Sequence, residues 1–319
     1  MPIFISFAGM KLVFCKYHGT GNDFILVDNR KGNIRLTEAQ IERLCDRHTG
    51  IGADGLMFLT AQPGYDFGMI YFNSDGKEGT MCGNGGRCIT AFAKSLGLAG
   101  NTARFIASDG NHEAEILKDE GHVTWIRLKM ADVKAPPPTP PQLLRFHPQV
   151  RGDSSFQSEI VNRKSKIVID TGSPHLVLFL EDLSAIDIVA EGRKLRNDPQ
   201  FSPDGINVDF VEIRKDHLFV RTYERGVENE TLSCGTGVTA AAVAFAGCTP
   251  PQALPRPGRG ETSRQSSVTS HMIETPGGRL TVSFRREGER FTDVFLEGPA
   301  ERVFSGEMEI RNEGRRTSI

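Results

Sequence analysis

The 319-residue sequence has little of several features that mark specialised classes of protein. Neither sign of charge dominates, since 38 Lys and Arg residues stand against 40 Asp and Glu residues and the formal net charge is -2. A broad basic surface for nucleic acid or an anionic membrane is therefore not expected. The apolar start of the chain is too short to span a bilayer and lacks the basic residues of a secretory signal. These absences favour a metabolic protein of the cytoplasm.

Cysteine is also scarce, and its six copies in so long a chain do not suggest a disulfide framework. Two of the thiols stand in matching surroundings. Cys82 opens Cys-Gly-Asn-Gly at residues 82–85, and Cys234 opens Cys-Gly-Thr-Gly at residues 234–237; alanine-bearing helical sequence follows both segments. The other cysteines are interpreted as structural residues: Cys15, Cys45, Cys88 and Cys248. The two matching segments therefore look like two copies of one site.

The matching segments belong to a duplication that spans the chain. With a shift of about 152 residues, residues 20–22 fall on 171–173, residues 72–73 fall on 223–224, and Cys82 falls on Cys234. An ordered set of matches at nearly constant shift predicts two similar domains related by a pseudo-two-fold axis.

The boundaries of the two domains follow from composition. Residues 1–9 are interpreted as an N-terminal extension and residues 10–134 as the first domain, which a C-terminal strand at about 303–312 could complete. The proline-rich residues 135–141 form the expected hinge, because proline fixes its own torsion and excludes helix. Residues 142–302 form the second domain, with an insertion loop at 249–270 that is rich in Pro, Gly, Ser and Arg.

Secondary structure is legible in both halves. Runs of β-branched and aromatic residues predict strands, among them 11–17, 66–72 and 123–128 in the first half and 166–169, 218–223 and 294–296 in the second. Thr37 with Gln40 forms a capping-box pattern that predicts a helix start. A further helix is expected directly after each of the two matching cysteines, and the first of these should end near Gly97. The halves are therefore expected to be α/β, or α+β, units.

A thiol at the start of a helix has particular chemistry. The free N–H groups and the positive end of the helix dipole favour a thiolate and also bind carboxylates. Two such helix ends facing one cavity could hold an amino acid while one thiolate removes the α-proton and the opposite thiol delivers another. This arrangement suits a racemase or epimerase. No lysine context for pyridoxal phosphate and no metal-ligand cluster is recognisable, so neither a cofactor nor a metal is expected.

Other interpretations of the two segments remain open at this point. Residues 235–240 fit the Gly-x-Gly-x-x-Ala dinucleotide fingerprint, but the acidic residue expected about twenty positions later is replaced by the insertion. Cys82 with Cys88 could ligate a metal, although no second pair is present. A thiol redox protein that uses Cys82 and Cys234 as a switch is an alternative of a different class.

The motifs as a whole resemble those of diaminopimelate epimerase. The resemblance runs from Met10 to about Phe304, and the segments that carry it are residues 16–24, 50–55, 72–76, 81–88, 223–226 and 233–237. It implies a cofactor-independent epimerase that converts LL-diaminopimelate into the meso form for lysine and cell-wall synthesis. It also implies a homodimer in which each chain has two domains, each a curled mixed or antiparallel sheet around a central helix, with the active site in the cleft between them.

The resemblance assigns roles to individual residues. Cys82 and Cys234 match the two catalytic thiols. The matches to helix-end contacts with the reacting carboxylate are Gly83, Asn84, Gly235 and Thr236. The matches to residues that hold the distal end of the substrate are Asn22, Asn73, Asn207 and Arg225. Glu224 and His175 match residues that contact the substrate and tune the thiols.

Two positions depart from the family pattern, and one related family remains a rival. Gly55 stands where many members have glutamine, and Ser173, also expected to bind substrate, stands where asparagine is common. Proline racemases and hydroxyproline epimerases share the thiol pair, but they typically have histidine after the first Cys-Gly, where this chain has Asn84. The sequence therefore favours diaminopimelate over a cyclic imino acid as the substrate.

Overall fold

A computed structural model describes residues 10–136, 166–248 and 268–310. The extension at residues 1–9, residues 137–141 of the proline-rich stretch and residues 249–267 of the insertion lie outside these ranges. Thr269 begins a strand, so the insertion loop ends before this residue. Within the described ranges, no helix combines the length and the apolar character needed to cross a membrane.

The elements of the first half alternate short strands with two helices. In chain order they are β1 (Met10–Gly19), β2 (Asn22–Asp28), α1 (Glu38–Cys45), β3 (Gly55–Thr60), β4 (Phe67–Asn73), β5 (Glu78–Gly79), α2 (Gly83–Ser95), β6 (Thr102–Ala107), β7 (Gly110–Asp119), β8 (Val123–Lys129) and β9 (Val133–Lys134). The second half consists of β10 (Lys166–Asp170), β11 (Pro174–Leu180), α3 (Ile188–Arg196), a 3₁₀ turn (Pro199–Phe201), β12 (Asn207–Ile213), β13 (Leu218–Glu224), β14 (Asn229–Thr231), α4 (Gly235–Cys248), β15 (Thr269–Thr275), β16 (Gly278–Glu287) and β17 (Arg290–Ile310).

Strand pairing repeats from one half to the other. In the first half, β2 is antiparallel to β1 and parallel to β3, and β4 is antiparallel to β3 and parallel to β6. The second half pairs β11, β10, β12, β13 and β15 in the same way. An antiparallel meander follows in each half. The fold is therefore α+β with two repeated domains, which confirms the predicted duplication.

The long strand β17 belongs to both sheets. Its first part pairs with β16 and, at Arg290 and Phe291, with β9. Residues 298–301 then pair with β8, and residues 301–310 pair with β1 apart from a bulge at Val303. The first sheet is thereby closed from β1 through β8 and back to β1.

Each sheet curls around one apolar helix. Helix α2 buries Ile89 and Phe92, and α4 buries the alanine run at 240–242. Small side chains allow a tightly curved sheet to approach α4 from several sides. Helix α1 begins after Thr37, which accepts a hydrogen bond from the N–H of Gln40 at 3.3 Å while Gln40 Oε1 accepts from the N–H of Thr37 at 2.9 Å. The predicted capping box is therefore confirmed.

Candidate active site

Cys82 is the N-cap residue of α2. Its backbone is extended, with φ -111° and ψ 152°, and its sulfur accepts a hydrogen bond from the N–H of Gly85 at 3.2 Å. A side chain at position 85 would lie 2.4 Å from the Met57 methyl and 3.1 Å from the Cys82 sulfur. Gly85 is thus required because the thiol and a neighbouring strand both approach the backbone there.

The two central helices meet at their N-termini. An ideal Cβ on Gly235 would lie 3.0 Å from the Cα of Gly83, and one on Gly83 would lie 3.3 Å from the Cα of Gly235. Cys82 and Cys234 directly precede these glycines, and Asn84 Nδ2 donates to the carbonyl of Ser233 at 2.8 Å. The structure therefore brings both sulfur-bearing helix starts to one junction between the halves.

A chain of polar groups leads away from Cys234. Its sulfur lies 3.4 Å from the hydroxyl of Thr236, and that hydroxyl lies 2.9 Å from Nε2 of His175. The Nδ1 atom of His175 lies 2.7 Å from Oδ2 of Asp209, whose other oxygen accepts from Thr222 at 2.8 Å. With Asp209 accepting at Nδ1, Nε2 of His175 is the atom that faces the hydroxyl of Thr236. Hydrogen-bonding groups therefore form a continuous line from Cys234 to Asp209.

Asn207 joins the strand ends around this histidine. Its Nδ2 atom donates to Oγ of Ser173 at 2.8 Å and to the carbonyl of Pro174 at 3.1 Å, and its Oδ1 accepts from the N–H of Arg225 at 2.9 Å. Ser173 therefore takes part in the hydrogen bonding at this position although it departs from the family pattern. The guanidinium of Arg225 makes no hydrogen bond or ion pair with the described residues.

Glu224 lies beside the second sulfur. Its carboxylate accepts from the hydroxyl of Thr231 at 2.5 Å. Burial raises the pKa of Glu224, and hydrogen bonds from Thr231 and Cys234 act in the opposite direction. The carboxyl group is therefore held in a setting where it exchanges a proton more readily than an exposed glutamate does at neutral pH.

Asn84 connects the junction to a second polar cluster. Its Nδ2 also faces Oδ1 of Asn22 at 3.3 Å, and Nδ2 of Asn22 donates to Asp54 at 2.7 Å. Arg47 binds Asp54 at 2.7 Å and Asp23 at 2.8 Å, which fixes the carboxylates on the far side. The first-half residue Asn22 is thus oriented from both ends.

Burial changes the expected behaviour of the thiols. Desolvation raises the pKa of Cys82 to about 11, and the charge of Glu224 adds to the rise, while the N–H of Gly85 and the charge of Arg87 oppose it. Desolvation together with the carboxylates of Glu224 and Asp209 raises the pKa of Cys234 well above its ordinary value. The expectation that the helix ends lower the thiol pKa is therefore wrong for the net shift, because loss of water outweighs the helix N–H groups. At both cysteines, burial favours the neutral thiol over the thiolate.

Tyr71 covers the position where the family often has glutamine. A Cβ on Gly55 would lie 2.5 Å from the Tyr71 ring and 3.0 Å from its hydroxyl, and one on Gly79 would lie 2.9 Å from the same ring. Burial raises the pKa of Tyr71, and the neighbouring Cys82, Asp54 and Glu224 add to the rise. The ring of Tyr71 therefore occupies the space that a side chain at position 55 would fill. Asn73 pairs with Gly55 across strands β3 and β4. It is exposed, and its side chain forms no hydrogen bond within the described ranges.

Sequence reasoning missed four residues of the site: Asp54, Tyr71, Arg87 and Asp209. Two of them carried a visible signal. Asp209 interrupts an apolar strand, and Arg87 interrupts a run of small and apolar helical residues. A charged residue on a buried face needs a partner or a function.

The class of this repeated fold, with a cysteine at each of two facing helix starts, is that of an isomerase of the epimerase type. The sequence profile of diaminopimelate epimerase matches residues 14–135 and 167–303, which include both cysteines. The chain belongs to the diaminopimelate epimerase family.

Individual relatives agree with this assignment. A diaminopimelate epimerase from Flavobacterium psychrophilum is 42% identical over 291 residues, which cover 91% of this chain and 97% of the relative. One from Chlorobaculum tepidum is 38% identical over 298 residues, covering 92% and 99% of the two chains. Among solved structures, a hydroxyproline epimerase from Agrobacterium vitis has a TM-score of 0.63 at 14% identity and covers 95% of this chain and 94% of its own. That likeness shows the shared fold.

Proposed function

We propose that this member of the family interconverts LL- and meso-diaminopimelate by moving a proton between one α-carbon and the thiols of Cys82 and Cys234. The observation that supports the proposal most directly is the contact between Gly83 and Gly235. Because each glycine follows one of the cysteines, a planar carbanion held at this junction has a sulfur on either side. Two bases on opposite faces of one carbon are what inversion requires.

The reaction step has a simple proton balance. One sulfur, as thiolate, forms an S–H bond with the α-proton while the C–H electron pair moves into the carboxylate. The opposite thiol then gives its proton to the other face of the carbon and is left as thiolate. The N–H groups at the two helix starts stabilise the charge that develops on the carboxylate oxygens. The two sulfurs exchange protonation states with each turnover.

One thiol must lose a proton before this cycle starts. Glu224 lies within hydrogen-bonding reach of Cys234, and Thr236 links the same sulfur to His175. These contacts support a role for Glu224 and His175 as proton acceptors for Cys234 and contacts for the substrate's amino group. The helix-end residues Gly83, Asn84, Gly235 and Thr236 would hold the reacting carboxylate.

The distal amino-acid end of the substrate needs polar partners of its own, since burying two charged groups without them is costly. We assign this task to Asn22, Asn73, Ser173, Asn207 and Arg225. The guanidinium of Arg225 and the amide of Asn73 support this assignment, because neither forms a side-chain hydrogen bond in the part of the chain that the structure describes. A guanidinium can bind a carboxylate through two parallel hydrogen bonds.

Deuterium exchange tests the proposal. Wild-type protein in heavy water should introduce deuterium at the reacting α-carbon of both LL- and meso-diaminopimelate, detected by mass spectrometry. Cys82→Ala and Cys234→Ala should each slow epimerisation by roughly 1000-fold, because an acid/base group is lost. Cys15→Ala is the matched control and should retain activity. Full epimerisation by either of the first two variants would exclude the two-base mechanism.

The same assay separates the rival functions. Proline and trans-4-hydroxyproline should not exchange, because a ring nitrogen offers nothing to the distal partners Asn73 and Arg225. Exchange into hydroxyproline but not into diaminopimelate would instead favour the related epimerase. Absence of exchange into any of these substrates would favour a thiol redox or dinucleotide-binding protein.

We further propose a homodimer in the cytoplasm. The side chains of Val13, Val303 and Phe304 are exposed on the adjacent strands β1 and β17, which is compatible with a covered face. A reducing compartment would keep the two thiols available. Light scattering measures the mass in solution, and fractionation of cells that express the protein tests its location.

A further inference from the structure

Arg87 is a buried cation without a counter-ion. It lies on α2, its side chain has no solvent exposure, and all its hydrogen-bond acceptors are uncharged. They are the carbonyl of Gly83 at 3.2 Å, Oδ1 of Asn84 at 2.9 Å, Oγ1 of Thr20 at 3.4 Å and the carbonyl of Pro299 at 3.4 Å. No carboxylate of the described residues forms an ion pair with it. An uncompensated buried charge is costly, so its retention requires an explanation.

The fold makes room for this side chain. A Cβ on Gly19 would lie 3.0 Å from Nη2 of Arg87, and one on Gly298 would lie 3.3 Å from Nε. The equivalent position on α4 is Thr239, whose hydroxyl donates to the carbonyl of Gly235 at 2.9 Å. Since a small hydroxyl satisfies the same carbonyl in the second half, the scaffold itself does not require an arginine.

The contacts of Arg87 control the orientation of Asn84. Because Nη2 of Arg87 donates to Oδ1 of Asn84, the amide nitrogen must point the other way, where it donates to Ser233 and faces Asn22. Arg87 thereby fixes the bond that joins the two helix starts.

Arg87 also acts on the first sulfur through its charge. Burial raises the pKa of Cys82, and the guanidinium opposes that rise. The other titratable groups that influence Cys82 and Arg87 are Glu224, Tyr71 and Cys88. Of these groups only Arg87 is a cation, so it is the one whose charge favours the thiolate of Cys82.

We propose that Arg87 is a positioning residue whose missing counter-ion is the negative charge that arrives during the reaction, on the substrate's reacting carboxylate and on the sulfur of Cys82. Its planar fork orients Asn84 and its charge stabilises the anionic state of the junction. The inference rests on the proposed epimerase function. It extends that function to a residue that does not touch the substrate.

Two variants separate charge from geometry. Arg87→Met removes both, and should lower kcat about 100-fold and slow iodoacetamide alkylation of Cys82 about tenfold at neutral pH. Its melting temperature should equal or exceed that of wild type, because a buried unpaired charge has been replaced by an apolar side chain of similar length. Arg87→Lys keeps the charge but loses the fork, so alkylation should stay near the wild-type rate while kcat falls about tenfold.

Thr239→Val is the matched control, since it changes the equivalent position of α4, and its alkylation rate at Cys82 should be unchanged. Equal alkylation of Cys82 in Arg87→Met and wild type would overturn the electrostatic part of the inference, and unchanged kcat in both arginine variants would overturn the positioning part. A methionine variant that unfolds or melts well below wild type would assign Arg87 a structural role instead. Failure of the epimerase proposal is distinguishable, because wild-type protein would then show no exchange while the alkylation rates remain measurable.

Discussion

The two halves share one pattern of strand pairing but surround their thiols with different chemistry. By register, four positions of the first sheet correspond to four of the second: Gly55 to Asn207, Met57 to Asp209, Tyr71 to Thr222 and Asn73 to Glu224. The first half thus places Met57 and Tyr71 where the second half places Asp209 and its hydrogen-bond partner Thr222. Arg87 and Thr239 complete the contrast on the two helices.

The difference shows how a duplicated scaffold becomes an enzyme for an unsymmetrical task. The repeated backbone supplies what both faces of a carbon need, a sulfur at a helix start. The side chains that diverged make the sulfurs unequal: the charge of Glu224 acts on both, but Arg87 opposes it only at Cys82 and Asp209 adds to it only at Cys234. An asymmetric pair is suited to a substrate with one reacting centre and one that is only held.

Among the changes that test the contrast between the two halves, the largest effect is expected from breaking the hydrogen-bonded line of the second half at Asp209. Asp209→Asn should lower kcat about 100-fold, because the proton on His175 is then no longer fixed on Nδ1 and Nε2 loses its role as acceptor. Deuterium exchange into diaminopimelate measures the loss. Asp216→Asn, beside the exposed edge at His217, is the control, and an Asp209 variant with wild-type exchange would contradict the relay.

The ionic cluster of the first half consists of Lys16, Asp23, Arg47 and Asp54. The described residues of the second half contain no equivalent, and Pro174 occupies the position of Asp23. Burial alone would raise the pKa of Asp23, but Arg47 and Lys16 together hold it at about 2, against an ordinary value of 3.8. Because the folded-state pKa is depressed, this contribution to stability is present above about pH 4 and is lost as the pH falls towards 2. Asp23→Asn should therefore cost about 2 kcal/mol of unfolding free energy at pH 7.

Urea unfolding at pH 7 and at pH 2 checks this prediction. The difference in unfolding free energy between wild type and Asp23→Asn should be present at pH 7 and largely gone at pH 2. The exposed Asp182→Asn serves as the control, and a gap that stayed constant with pH would show that the loss does not come from the charge.

The unequal thiols should differ in reactivity. Iodoacetamide should alkylate Cys82 about tenfold faster than Cys234 at neutral pH, because the charge of Arg87 opposes that of Glu224 at Cys82, whereas Glu224 and Asp209 both disfavour the thiolate of Cys234. Peptide mass spectrometry of the trapped protein gives both rates, and both should rise with pH as thiolate forms. Asp209→Asn should narrow the difference by speeding the reaction of Cys234. Equal rates in wild type would mean that the electrostatic contrast has no chemical effect.

The smallest effect is expected at Tyr71. Its hydroxyl makes no hydrogen bond with the described residues and lies near Cys82 and Asp54. Tyr71→Phe should lower kcat/KM for diaminopimelate about threefold, through loss of one hydrogen bond from the hydroxyl to the bound substrate. Tyr65→Phe, at a half-buried tyrosine whose hydroxyl bonds to Asn111, is the control. A variant with unaltered kcat/KM would leave the tyrosine only the role of filling the space above Gly55.

Local patterns predicted most of the backbone. Strands β1, β4, β8, β10 and β13, the capping box at Thr37 and the helix end near Gly97 all follow from nearest neighbours in sequence. The thiol pKa shifts did not, because desolvation depends on groups that arrive from other strands. Asp209 escaped attention for the same reason, since its partner His175 lies 34 residues away along the chain. The burial of Arg87 likewise depends on distant segments, those of Thr20 and Pro299. From the sequence alone, Gly55 lacks the polar side chain that the family pattern predicts; the structure shows that Tyr71 occupies the space of that side chain.

Strand β17 also constrains how the protein comes into being. Its residues 298–310 close the first sheet, yet they are the last described residues to be synthesised. The first sheet around Cys82 therefore stays open at one edge until the second half, which includes Cys234, has been made. A nascent first half bears a thiol but no finished cavity around it, so ribosome-bound fragments should have no proton-transfer activity, and the chain acquires its two opposed bases together.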